Sequence, residues 1–153
     1  MKKILFLILF YTIHTTPLLS ENFRVIDGDT IILNNKKIRF SGIDTPELKQ
    51  TCIKNNKKIF CGVLVKTFLI NKIGNKIPIC IEQGKDIYKR TLAECFIDNK
   101  SLSSFLVKNG YAFAYRKYSK KFIKDEEHAK VNKLGLWQME FQYPWDYRKK
   151  SKN

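Results

Sequence analysis

Four carboxylates, Asp27, Asp29, Asp44 and Glu47, lie close together in a chain that carries 29 Lys and Arg against only 14 Asp and Glu. They fall in two short segments, Asp27-Gly28-Asp29-Thr30 and Asp44-Thr45-Pro46-Glu47. Carboxylates brought together repel one another unless a cation sits between them. Hard oxygen donors with neither histidine nor thiolate beside them select Ca²⁺ or Mg²⁺ over zinc. Arginine is scarce: the chain has 24 lysines and five arginines, Arg24, Arg39, Arg90, Arg116 and Arg148. Arg39 stands five residues before Asp44, and Arg90 follows Tyr88 by two. An arginine where lysine is the habit suggests a need for a planar, bidentate donor. Each feature alone has a plainer explanation. Asp27-Gly28 makes an ordinary hairpin turn, Asp44 to Glu47 a loop with a capping threonine, and a lone arginine a surface ion pair. In combination they say more.

Composition removes several other chemistries. Of two histidines, His14 lies in a segment expected to be cleaved off, leaving His128. Histidine-rich zinc sites and two-histidine nuclease mechanisms are excluded within this chain. No G-x-x-x-x-G-K-[ST] occurs, so a P-loop nucleotidase is excluded too. A length of 153 residues favours one domain, and 44% hydrophobic residues suffice for a packed core. The net charge of +15 suits a polyanion partner. A Lys-, Asn- and Ile-rich composition of the kind that AT-rich coding produces would give the same excess, so charge alone carries little weight.

The elements that must position these residues follow from periodicity. Residues 1–20 run from Lys2-Lys3 through an apolar stretch to a small, Pro-broken region, the order of a secretory signal. Cleavage is expected after Ser20; Leu18 fits the small-residue rule poorly, and an uncleaved membrane anchor is the alternative. No apolar run of membrane-spanning length follows. Residues 23–40 are rich in β-branched and aromatic types, punctuated by Asp27-Gly28 and Asn34-Asn35, and read as three strands. The hairpin at Asn34-Asn35 brings Asp29 and Asp44 to the same open end. Residues 49–58 are polar and lysine-rich, a predicted mobile loop. A helix is predicted over 59–72, strands over 77–82 and 90–97, a helix after the N-cap Ser101 that stops at Gly110, and a third helix over 121–134. Five strands with a helix before the fourth suggest an α+β fold with a mainly β core, a five-stranded OB-type barrel with about three helices.

Export makes the four cysteines readable as two disulfides, since no C-x₂-C zinc spacing occurs. Three pairings are open. Cys52–Cys61 closes the polar loop, and Cys80–Cys95 joins the predicted fourth and fifth strands; this pairing is the expected one.

At these residues the chain resembles the staphylococcal nuclease (thermonuclease) family, from Phe23 to about Trp137. Four blocks carry the likeness: Val25-Ile26-Asp27-Gly28-Asp29-Thr30; Ile38-Arg39-Phe40-Ser41-Gly42-Ile43-Asp44-Thr45-Pro46-Glu47; Asp86-Ile87-Tyr88-Lys89-Arg90-Thr91-Leu92-Ala93; and Leu106-Val107-Lys108-Asn109-Gly110-Tyr111-Ala112. Leu134-Gly135-Leu136-Trp137 matches the end of the family's last helix. The four cysteines and Pro144-Trp145-Asp146-Tyr147-Arg148 look like its exported bacterial branch. The resemblance implies Ca²⁺-dependent hydrolysis of phosphodiester bonds in DNA and RNA. It implies that Asp29, Asp44 and the Thr45 carbonyl hold Ca²⁺, that Glu47 orients or deprotonates water, and that Arg39 and Arg90 bind the phosphate. Asp27 is then a turn or outer residue. Tyr88, Tyr115 and Tyr118 are candidates to stack on a base or bond a phosphate, with barrel-rim packing as the alternative. The family's usual Tyr-Gly-Arg is Tyr88-Lys89-Arg90 here, so the turn before the fifth strand is expected to differ.

The expected organisation is a signal over 1–20, a nuclease-like OB domain over 21–140 and a basic tail over 141–153, with Arg148 to Lys152 expected to be disordered and to hold nucleic acid weakly. The expected molecule is a monomer without an obligate protein partner, exported to the periplasm or the medium. The alternative is a catalytically inactive nucleic-acid- or protein-binding module on the same fold.

Overall fold

Paired asparagines turn this chain. In a computed structural model, which describes residues 22–151, Asn34-Asn35, Asn55-Asn56 and Asp98-Asn99 all have φ between 50° and 63°. Positive φ at both central residues gives the two-residue hairpin turn whose twist matches the flanking strands, and Asn and Asp tolerate it best. The expected signal segment, 1–20, lies outside the described residues.

β1 (Phe23–Val25) runs antiparallel to β2 (Thr30–Leu33), which the first Asn pair returns as β3 (Lys36–Phe40). β7 (Ile79–Lys85) and β8 (Thr91–Ile97) form a second antiparallel pair, and β8 joins β3 in parallel. The strand order is β1-β2-β3-β8-β7, with the short β9 (Lys100–Ser101) beside β8. β4 (Ile43–Asp44) leaves this sheet and pairs with β10 (Phe113–Ala114), whereas β5 (Thr51–Lys54) and β6 (Lys57–Phe60) pair with each other. The fold is α+β of the OB type, with a mainly β core.

The helices cover that core. α1 (Cys61–Ile73) buries Cys61, Val65, Leu69 and Ile73, one face at i, i+4 spacing. α2 (Leu102–Lys108) starts at Ser101, whose hydroxyl accepts the Ser104 N–H at 3.2 Å, and buries Leu102, Leu106 and Val107. α3 (Ile123–Val131) buries Ala129, and a 3₁₀ turn spans Gly135–Gln138. These elements pack on Ile31, Ile38, Phe40, Ala93 and Phe113, all 3% exposed or less. No helix of the described residues is long and apolar enough to cross a membrane.

Both predicted disulfides form. Cys80 and Cys95 are register partners on β7 and β8, 4.0 Å apart at Cα. Cys52 on β5 joins Cys61 at the start of α1, 5.6 Å apart.

Two expectations are corrected. Residues 49–58 are not a mobile loop: Asn55-Asn56 folds most of them into the β5–β6 hairpin, stapled by Cys52–Cys61. Nor is the expected disordered stretch from Arg148 without structure, for Arg148 to Lys150 lie in a helix. Glu140 bridges Ile53 of β5, and Pro144–Lys150 form a further helix, α4. Pro144 occupies the first turn, where a missing N–H costs nothing. Phe141, Tyr143 and Trp145 all pack on Phe113, at ring-centroid distances of 5.0, 5.1 and 6.1 Å. That apolar burial holds the segment where its charge alone suggested solvent.

Candidate active site

The β2–β3 register sets Thr30 opposite Arg39, so Asp29 stands beside the Arg39 side chain at the open end of the hairpin. The sharp exit of β3 into β4 returns Asp44 to the same place. One guanidinium then clamps both acids: Arg39 donates to Asp29 Oδ1 at 2.6 Å and to Asp44 Oδ1 at 2.7 Å. Asp29 also accepts the Thr30 hydroxyl at 3.1 Å and the Thr45 N–H at 3.2 Å. Asp29, Asp44 and Thr45 are buried, Asp44 completely. Burial pushes the Asp29 carboxyl up to about 7, and the Arg39 charge pulls it back only in part. Asp27 accepts the Asp29 N–H at 3.1 Å and acts as a turn residue.

Glu47 lies at the end of the β4 loop, half exposed. Its N–H donates to the Gln50 side chain at 3.2 Å, and the same buried amide donates to the Gln142 carbonyl at 2.6 Å. From the other side Gly62 of α1 abuts it: a Cβ at that position would lie 1.9 Å from the Glu47 carbonyl oxygen. Arg148, on α4, completes the group. It donates to Asp44 Oδ2 at 2.6 Å, to Asp44 Oδ1 at 3.1 Å and to Glu47 Oε1 at 2.9 Å. Burial works against the Arg148 charge, but these two carboxylates more than offset it and raise its pKa.

Arg90 stands across the opening. Its Nε donates to Asp86 Oδ2 at 2.6 Å, and the Tyr88 and Arg90 N–H groups both donate to Asp86 Oδ1 at 2.9 Å. Burial opposes the Asp86 charge, but these donors hold its carboxyl below the usual range. Lys89 has φ 61°, the left-handed conformation that a glycine adopts freely, so a lysine here occupies a glycine-type turn position. Tyr88 lies 5.4 Å from the Arg90 guanidinium. Tyr115 stacks on Trp145 at 5.6 Å with rings parallel to 1°, and meets Tyr118 edge-on at 4.9 Å.

Most of these side chains border one cleft of about 1030 Å³. Asp29, Arg39, Thr45, Glu47, Arg90, Tyr88, Tyr115 and Tyr118 line it, and Asp44 lies beneath, reached through Arg39 and Arg148. The candidate catalytic, metal-binding and substrate-binding residues read from the sequence therefore all lie in or under the same cleft. Tyr88 and Tyr118 are exposed, whereas Tyr115 is engaged by Trp145. Sequence reasoning missed Arg148, Gln50 and Asp86 as parts of the site. The scarcity of arginine was the available signal for Arg148. Gln50 gave none, because a glutamine after Leu48-Lys49 reads as solvated loop.

Known proteins are similar to this chain in sequence. Residues 37–139 match the family described as staphylococcal nuclease homologue. An uncharacterized endonuclease of Haemophilus influenzae is 30% identical over 121 residues, 74% of this chain and 63% of that protein. Endonuclease YncB of Bacillus subtilis is 35% identical over 136 residues, covering 74% and 59%. The SPbeta prophage-derived endonuclease YokF of the same organism is 34% identical, and 42% of its length is covered. The chain thus spans less than two thirds of the length of these relatives. With the match running through β3, β4 and β8, which carry or border the acids and arginines of the cleft, the chain belongs to the staphylococcal nuclease family.

Proposed function

We propose that the chain is an exported, Ca²⁺-dependent nuclease that hydrolyses phosphodiester bonds of DNA and RNA and acts as a monomer. One observation carries this reading: two buried carboxylates clamped by a single guanidinium, at the floor of a cleft whose rim holds Glu47 and Arg90. The donor chemistry suits Ca²⁺. Asp29, Asp44 and the Thr45 carbonyl are all hard oxygens. A site with few protein donors, completed by water and phosphate, agrees with the irregular coordination of Ca²⁺ better than with the tight octahedron of Mg²⁺. When bound, the cation supplies positive charge against the phosphate oxygens.

The chain's own residues do the rest. Arg39 and Arg90 hold the phosphate and stabilise the charge that grows as phosphorus becomes five-coordinate. Asp86 aims Arg90 by fixing its Nε. Glu47, set by Gln50 and Gly62, orients the attacking water and takes its proton. Tyr88 and Tyr118 offer exposed rings to the bases. The two disulfides suit an oxidising compartment, which supports export.

The test is digestion of plasmid and RNA by purified protein with Ca²⁺, with Mg²⁺ or with chelator. Cleavage is expected with Ca²⁺, weakly with Mg²⁺, and not with chelator. Glu47→Gln should lower single-turnover cleavage by on the order of 10²-fold with little change in affinity, and Arg90→Ala should slow it comparably. Wild-type cleavage by a folded Glu47→Gln would leave the binding-module alternative as the better account.

A further inference from the structure

Three of the five arginines in this lysine-rich chain, Arg39, Arg90 and Arg148, line one cleft. Arg148 has no part in the chemistry above, yet it holds the oxygens that chemistry needs. Its guanidinium bonds both oxygens of Asp44 and one of Glu47. Asp44 is fully buried; its Oδ1 accepts from both Arg39 and Arg148, and its Oδ2 accepts from Arg148. A cation approaching Asp44 from the cleft meets the Arg148 guanidinium on both oxygens, and it binds there more readily if that arginine yields. Arg39 is also pinned by Asp29 and is 16% exposed, whereas the Arg148 side chain is 33% exposed. A divalent charge on Asp44 repels the neighbouring guanidinium at close range. Side-chain rotation is all that this release requires, because Trp145 keeps α4 stacked on Tyr143 at 4.6 Å and on Tyr115 at 5.6 Å. The freed planar fork stays in the cleft, where its geometry matches a phosphate.

We propose that Arg148 is a third phosphate-binding residue of this active site, parked on Asp44 and Glu47 until a divalent cation takes its place there. The proposal rests on the nuclease reading above.

The first measurement needs no catalysis: Ca²⁺ is titrated calorimetrically into the full chain without nucleic acid. A binding-competent form that is only fractionally populated weakens apparent affinity by that fraction. If about nine molecules in ten are closed, Arg148→Ala tightens Ca²⁺ binding about tenfold. The second is single-turnover cleavage of a labelled single-stranded oligodeoxynucleotide at saturating Ca²⁺. There Arg148→Ala is expected to be about 10–10²-fold slower, as for loss of one transition-state donor. Arg148→Lys keeps the charge but not the fork, falls between in both, and serves if the alanine variant does not fold. Opposite changes in cation affinity and cleavage are the signature, since general structural damage lowers both and a simple plug raises both. Unchanged or weaker Ca²⁺ binding by folded Arg148→Ala overturns the exchange. Cleavage at or above the wild-type rate overturns the phosphate role. A wild-type protein that binds Ca²⁺ but cleaves nothing overturns the nuclease reading, and this role with it.

Discussion

Asp29 is where pH acts most directly on this site. Its carboxyl titrates near 7 in the folded protein against 3.8 for the ordinary group, so between those values the folded chain binds the extra proton. Stability from this group is therefore greatest below about 4 and is lost as pH rises through 7. In chelator, wild type minus Asp29→Asn should show that loss, on the order of a few kcal/mol, in denaturant melts across the window. A difference that rises with pH would contradict it. The residues within 29–47 were legible because their types and spacing lie in one short segment. Arg148 was not, because it meets Asp44 from 104 positions away, a closeness that only tertiary packing creates.

At the scale of elements, the turns explain both success and error. Asn34-Asn35 was read as a hairpin, while the identical Asn55-Asn56 was lost among lysines. Lys54 before Asn55-Asn56 and Lys57-Lys58 after it leave those strands without the apolar alternation that flanks Asn34-Asn35, and only the folded chain shows that Cys52–Cys61 pins this hairpin to α1. The same hairpin leads into α1, where Gly62 has its role through closeness rather than backbone freedom. Gly62→Ala gains about 1 kcal/mol of helix propensity. It also forces the Glu47 segment to move, at roughly 1–3 kcal/mol for overpacking. A net loss of stability and of cleavage is expected, seen as a lower denaturation midpoint and a slower single turnover. Lys89→Gly should do the reverse for stability. It removes the cost of a left-handed lysine, and a gain of about 0.5–1 kcal/mol is expected in the same melts.

Over the whole molecule, the chain closes on itself at its end. Trp145 ties α4 to Phe113, Tyr115 and Tyr143, so Trp145→Ala should cost on the order of 2–4 kcal/mol and lower the melting temperature. A net charge of +15 over the whole chain, around a cleft of mixed sign, predicts salt-sensitive binding of single strands. Affinity in chelator should fall roughly 10–50-fold between about 50 and 200 mM salt if three or four phosphates are contacted. A flat salt response would place the strand elsewhere than on this surface. The Cys52–Cys61 bond has a wider meaning. It fastens the β5–β6 hairpin to the start of α1, where Gly62 presses on Glu47. Its closure of so short a loop is worth roughly 2–3 kcal/mol. In a reducing cytoplasm that staple is open, and the Glu47 segment loses part of its support. Paired Cys52→Ser and Cys61→Ser substitutions should accordingly slow cleavage and lower the melt. Under the export proposal, the cell that makes this chain is thereby shielded from it: the fold withholds its full activity until the protein has left the genome and transcripts behind.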